Sequence, residues 1–117
     1  MFFKVVNTNP RYKYYKYRIP FLSSRTYLIK WAPRARTPIH HHNGDECEFR
    51  IFNGELHETR FNKAGIEKQK LRIFKKYHIN DEKGCHQMIN YNQRDIWSIH
   101  TYYKKREYEN KEYNWRW

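Results

Sequence analysis

The stretch Thr37-Pro38-Ile39-His40-His41-His42-Asn43-Gly44-Asp45-Glu46-Cys47-Glu48 concentrates groups that can bind metals or move protons. In an extended strand, residues i and i+2 project to one face. His40 and His42 therefore share a face, and His41 points away. Two neutral imidazoles on one inward face bind a divalent metal when a third ligand comes from elsewhere. His86, on a separate expected strand, is the natural third ligand. An H-x-H pair alone is more often a solvated histidine cluster, so the spacing around it has to decide.

Such a face needs strands to hold it. Short apolar or aromatic runs recur at 25–31, 47–52, 55–61, 69–77, 84–90 and 95–103. Between them lie turn signals at Pro33, Pro38, Asn43-Gly44, Asn53-Gly54, Ala64-Gly65, 81–84 and 92–94. Many short strands at even spacing point to an all-β sandwich or barrel. Asn53-Gly54 between two apolar runs reads as a hairpin turn. One domain over 1–117 is expected, with 1–14 and 105–117 as peripheral arms.

Composition narrows the class. Apolar residues are 38% of the chain, but aromatics are 19%, enough to close a small core and to exclude disorder. The formal charge is +12, and no acid precedes Asp45, while nine Lys or Arg lie between Lys4 and Arg36. Basic residues interleaved with tyrosines, Arg11 to Arg18, fit stacking platforms for nucleic acid or edge strands with a lysine-rich solvent face. A nucleic-acid-binding module is thus one reading of the charge. Cys47 and Cys85 make neither a zinc pair nor a disulfide framework. With no bilayer-length apolar run and no signal peptide, a cytoplasmic protein with free thiols is expected.

The spacing resembles the cupin signature. His40 and His42 supply its H-x-H, Gly54 its closing glycine, and His86-Gln87-Met88-Ile89-Asn90 its H-x3-N. Cys47 stands where many cupins carry a glutamate ligand. That replacement, with Trp31-Ala32-Pro33, Pro38-Ile39-His40, Gly84-Cys85-His86 and Ser98-Ile99-His100-Thr101-Tyr102, resembles the cysteine dioxygenase family over about residues 15–103. Tyr17-Arg18-Ile19-Pro20 is similar to the family's substrate-arginine segment. The family's tyrosine two residues before that arginine is Lys16 here, and its Ser-Pro after the motif tyrosine is Tyr103-Lys104.

The resemblance implies a single small jelly-roll barrel. Within it, His40, His42 and His86 would hold Fe(II). Cys47 and Tyr102 would join as a thioether, His100 would orient the Tyr102 hydroxyl, and Ser98 would support that network. Arg18 would pair with the substrate carboxylate, as a guanidinium fork suits two oxygens. The implied reaction takes L-cysteine and dioxygen to cysteine sulfinate, within cysteine metabolism. Rival readings are a dioxygenase of another small thiol, such as 3-mercaptopropionate or cysteamine, and a cupin using Glu46 as a fourth ligand. Alternation on a regular strand puts Glu46 opposite to Cys47, which separates the last two sites.

Overall fold

The computed structural model describes residues 4–9, 13–19 and 25–106. Their strands are β1 (Lys4–Asn9), β2 (Tyr14–Arg18), β3 (Arg25–Trp31), β4 (Asp45–Ile51), β5 (Glu55–Asn62), β6 (Gly65–Arg72), β7 (Tyr77–Ile79), β8 (Cys85–Ile89) and β9 (Ile96–Lys104). They form a six-stranded sheet, β1-β2-β3-β9-β4-β7, and a three-stranded sheet, β6-β5-β8. Every strand pair is antiparallel. This is the expected all-β jelly roll. Among the described residues no helix is long and apolar enough to cross a membrane.

The core lies between the sheets and follows from alternation. On β4, Cys47, Phe49 and Ile51 face inward; on β3, Ile29 and Trp31; on β9, Ile96. Leu56, Leu71 and Met88 close it from the smaller sheet. Each large apolar side chain so buried contributes about 1.5–3 kcal/mol. The opposite face of β4 is also covered. Glu48 meets the Lys76 ammonium at 3.0 Å, and Glu46 accepts from Asn80 at 3.2 Å.

The turn at Asn53-Gly54 is not a hairpin. β4 and β5 belong to different sheets, so the chain crosses over there. The dipeptide serves that crossover. Asn53 donates to the Asp95 carbonyl and accepts from the Trp97 amide, both at 2.9 Å, pinning the turn to the start of β9. Gly54 has φ +61, and a Cβ on it would sit 2.5 Å from Ile96 Cδ1. A second crossover splits the expected run at 69–77 into β6 and β7. Between them Phe74 takes φ 64 while its amide donates to the Ile51 carbonyl. A hairpin does join β5 to β6, with Asn62 paired to Gly65.

The N-terminal basic stretch also differs from an edge strand. Lys4–Asn9, within the expected peripheral arm, pairs with β2, which places β2 inside the sheet between β1 and β3. Residues 107–117 of the expected C-terminal arm lie outside the described residues.

Candidate metal centre

His40 and His86 are brought together by backbone pairing. The segment before the histidine triplet is not a regular strand. It runs along the free edge of β8 with isolated bridges Arg36↔Ile89 and His40↔His86. The His40 and His86 amides exchange hydrogen bonds with each other's carbonyls at 3.0 and 3.1 Å. His42 is set by a different device. The Asp81 carboxylate accepts from the amides of His42 (3.0 Å) and Gly44 (2.7 Å) and holds the turn that returns the chain into β4. The three histidines converge, with one ligand nitrogen from each lying within 4.8 Å of the others. His41 is exposed and reaches the rim of the same cavity.

The hydrogen bonds assign the tautomers. His40 Nδ1 lies 3.0 Å from the Pro38 carbonyl oxygen, which can only accept. His86 Nδ1 lies 2.7 Å from Glu58 Oε2, a carboxylate oxygen. Both Nδ1 atoms therefore carry a proton, and in the neutral rings both Nε2 atoms present lone pairs. Those two Nε2 atoms face each other at 3.0 Å. Neutral rings in these tautomers cannot satisfy one another, whereas a cation between them satisfies both. His42 Nδ1 is likewise buried without a hydrogen-bond partner. The donor set thus fits a divalent ion that accepts imidazole ligands.

Electrostatics keep the His40 and His42 rings neutral. Burial, then the neighbouring His86, lowers His40 to about 4. Burial, His86 and His40 lower His42 to about 3. Metal ligation needs the unprotonated ring, so neither proton competes at neutral pH.

Glu58, on β5, is only 1% exposed. Burial raises its pKa, but hydrogen bonds from His86, Arg60 and Gln69 outweigh that and hold it at about 2. Arg60 Nε and Gln69 Nε2 reach its other oxygen at 2.7 and 2.6 Å. A carboxylate that receives the second ring proton of a metal-binding histidine fixes that ring's orientation and basicity. The sequence held one signal for this: Glu58 shares the inward parity of Leu56 on β5.

Three further expected site residues lie on β9. Ser98, His100 and Tyr102 alternate inward along β9. Trp31 Nε1 donates to Ser98 Oγ at 2.8 Å, and Ser98 Oγ lies 2.8 Å from His100 Nε2. The His100 ring stacks on Phe49, centroids 5.1 Å apart and 7° from parallel. Burial, foremost, pushes its pKa well below the ordinary value. Cys47 and Tyr102 are cross-strand partners in the β4–β9 register, and their side chains are in hydrogen-bonding contact. Burial raises the Cys47 thiol to about 12. Burial and then Cys47 push the Tyr102 hydroxyl well above its usual range. That hydroxyl also receives Lys16 Nζ at 3.4 Å, and its partners among the described residues are Lys16 and Cys47 rather than His100.

The three histidines, Trp31, His100 and Tyr102 border a cavity of about 330 Å³, with Lys16, Tyr27, Ile29 and Met88 among its walls. Arg18 does not border it. On β2, Tyr14 and Lys16 face inward, while Arg18 at the strand's end is exposed. Glu46 also stands apart from the histidines, near His78 and Asn80 on the other face of β4. Asn90, fully buried, donates to the Trp31, Ala32 and Arg94 carbonyls, as a structural amide.

A family model described as cysteine dioxygenase type I matches residues 11–111. No curated protein matches the chain in sequence. Oxalate oxidase superposes with a TM-score of 0.68 at 16% identity, covering 85% of this chain and 55% of its own. A sugar phosphate isomerase of the cupin superfamily from Silicibacter pomeroyi gives 0.64 at 14%, covering 80% and 60%. A CENP-C domain from Drosophila melanogaster gives 0.67 at 8%, covering 86% and 72%. The chain therefore spans about half the length of the oxalate oxidase it resembles. At these identities the likeness is one of fold, the cupin jelly roll.

Proposed function

The chain belongs to the cysteine dioxygenase type I family, and on that premise we propose that it is a mononuclear iron enzyme oxidising the thiol of L-cysteine to the sulfinate. One observation carries the reading. The His40 and His86 Nε2 atoms face each other at 3.0 Å, in a cavity that is also lined by Tyr102, the cross-strand partner of Cys47.

His40, His42 and His86 would hold the ion. A ferrous ion there would supply open positions for thiol and dioxygen, and the positive charge that favours thiolate at neutral pH. The overall reaction adds both atoms of dioxygen to sulfur and releases the thiol proton, so R–SH and O2 give R–SO2− and H+. The protein's own part is positional. Glu58 and the Pro38 carbonyl orient two of the ligands, and Ile29, Trp31 and Met88 give the cavity apolar walls. Ser98 and His100 brace β9, and Tyr102 offers a hydroxyl at the wall. Holding reactants in one geometry is worth orders of magnitude in rate.

We further propose the thioether between Cys47 and Tyr102. It would replace the S–H and one ring C–H by a C–S bond, with two protons and two electrons passing to dioxygen. The support is their cross-strand pairing and side-chain contact. Two free cysteines, one buried and one half-buried, suit a reducing cytoplasm.

The test is anaerobic reconstitution with Fe(II), then cysteine and isotope-labelled dioxygen. The reading predicts cysteine sulfinate carrying both labelled atoms. Sulfinate from 3-mercaptopropionate or cysteamine with none from cysteine would move the assignment to another small thiol. Iron-independent oxidation, or single-atom incorporation, would reject a dioxygenase.

A further inference from the structure

The cavity contains a cation that the expected site residues left out. Lys16 enters its wall from β2, with Nζ 4.4 Å from the Tyr27 ring centroid, 4.6 Å from that of Tyr102, and 3.4 Å from the Tyr102 hydroxyl. Two ring faces stabilise an ammonium there and fix its position. No carboxylate pairs with it among the described residues. The other cation on the cavity wall, Arg25, is held by Asp45 at 2.9 Å. Among the described residues the neighbours of this half-buried ammonium are aromatic faces and a hydroxyl rather than an anion, and the cavity in front of the histidines is open to it.

We propose that Lys16 is the specificity-determining residue that binds the acidic group of the substrate, restricting the site to small thiols carrying a carboxylate. The assignment rests on the thiol dioxygenase reading and refines it. The expected carboxylate partner, Arg18, is two residues along the same strand, exposed and outside the cavity. Lysine also differs in kind from arginine. Its ammonium is a point charge on a flexible stem, without the planar fork that matches two oxygens. It selects for negative charge more than for the angle at which the carboxylate is presented. Cysteine and 3-mercaptopropionate should therefore both be accepted, and cysteamine disfavoured.

The experiment measures thiol binding to the Fe(II)-loaded protein by anaerobic calorimetry, followed by turnover in air. Wild type, Lys16→Met, Lys16→Arg and Arg18→Gln are each given cysteine, 3-mercaptopropionate and cysteamine. Lys16→Met is expected to weaken both mercapto acids about 10–100-fold, the range for losing a charged hydrogen bond. Its cysteamine binding should stay within about 3-fold. Lys16→Arg should keep most of the preference, and Arg18→Gln should show no carboxylate-selective loss. Equal weakening of all three thiols by Lys16→Met would make the lysine a support for Tyr102 and overturn the proposal. Carboxylate-selective loss in Arg18→Gln would overturn it in favour of Arg18. If mercapto acids bind through Lys16 but none is oxidised, the dioxygenase reading fails and the subsite stands. If no thiol binds, both fail.

Discussion

Glu58 Oε2 accepts the His86 Nδ1 proton at 2.7 Å, diagonally across the β5–β8 pair and out of reach of solvent. The bond ties a carboxylate of the smaller sheet to the ligand that completes the histidine trio. Glu58→Gln keeps the shape and removes the charge. Metal affinity should fall about 10–100-fold, as for other partners that orient a metal-bound imidazole. A competition titration against a chelator reads this. Unchanged affinity would reduce Glu58 to a packing role.

Ser98 joins Trp31 to His100 in a buried chain of two hydrogen bonds. Ser98→Ala leaves the Trp31 indole N–H without its acceptor and His100 Nε2 without its hydrogen-bond partner. A stability loss of about 1–3 kcal/mol is expected in urea unfolding. A smaller effect would show that the wall of β9 relaxes to find other partners.

The pH dependence has a definite sign. His40 and His42 titrate near 4 and 3 in the fold against 6.5 for the free side chain. The unfolded chain therefore takes up protons below 6.5 that the folded chain refuses, and stability falls as pH drops from 6.5 through about 4. Glu58, depressed from 4.5 to about 2, adds stability that is full above 4.5 and lost as pH falls through 2. The metal-free protein should melt at progressively lower temperature on acidification. Added metal should offset this while the imidazoles remain neutral. A melting temperature flat across that range would contradict the burial of these rings.

Gly84 immediately precedes β8 at φ +111, where a Cβ would run into the Phe61 carbonyl oxygen. The obstacle is backbone and cannot rotate away. Gly84→Ala should cost about 1–3 kcal/mol. It should also weaken metal binding, because His86 lies two residues on. Loss of stability with intact metal affinity would show that β8 absorbs the shift before His86.

Much of this site could be read from residue order. The run at 25–31 coincides with β3, and His40, His42 and His86 converge as their spacing suggested. The route was different, however. His40 reaches His86 through an isolated bridge, and His42 is placed by a side-chain clamp from Asp81, a long-range contact that strand alternation cannot reveal. Asn53-Gly54 has the chemistry of a hairpin turn, but local preference does not say which sheet the next strand joins. Lys16 and Arg18 share one strand face, and only tertiary packing determines that Lys16 is enclosed and Arg18 exposed. Glu58 reads as a surface acid until its three donors, from β5, β6 and β8, are seen together.

The proposed metal centre rests on three imidazoles, those of His40, His42 and His86. The direct measurement is the ferrous stoichiometry of the anaerobically reconstituted protein, by elemental analysis after desalting, beside His86→Ala checked for folding by circular dichroism. The account predicts one iron per chain in the wild type and essentially none in the folded variant. Iron retained by His86→Ala, or a folded wild type that holds no metal, would contradict it.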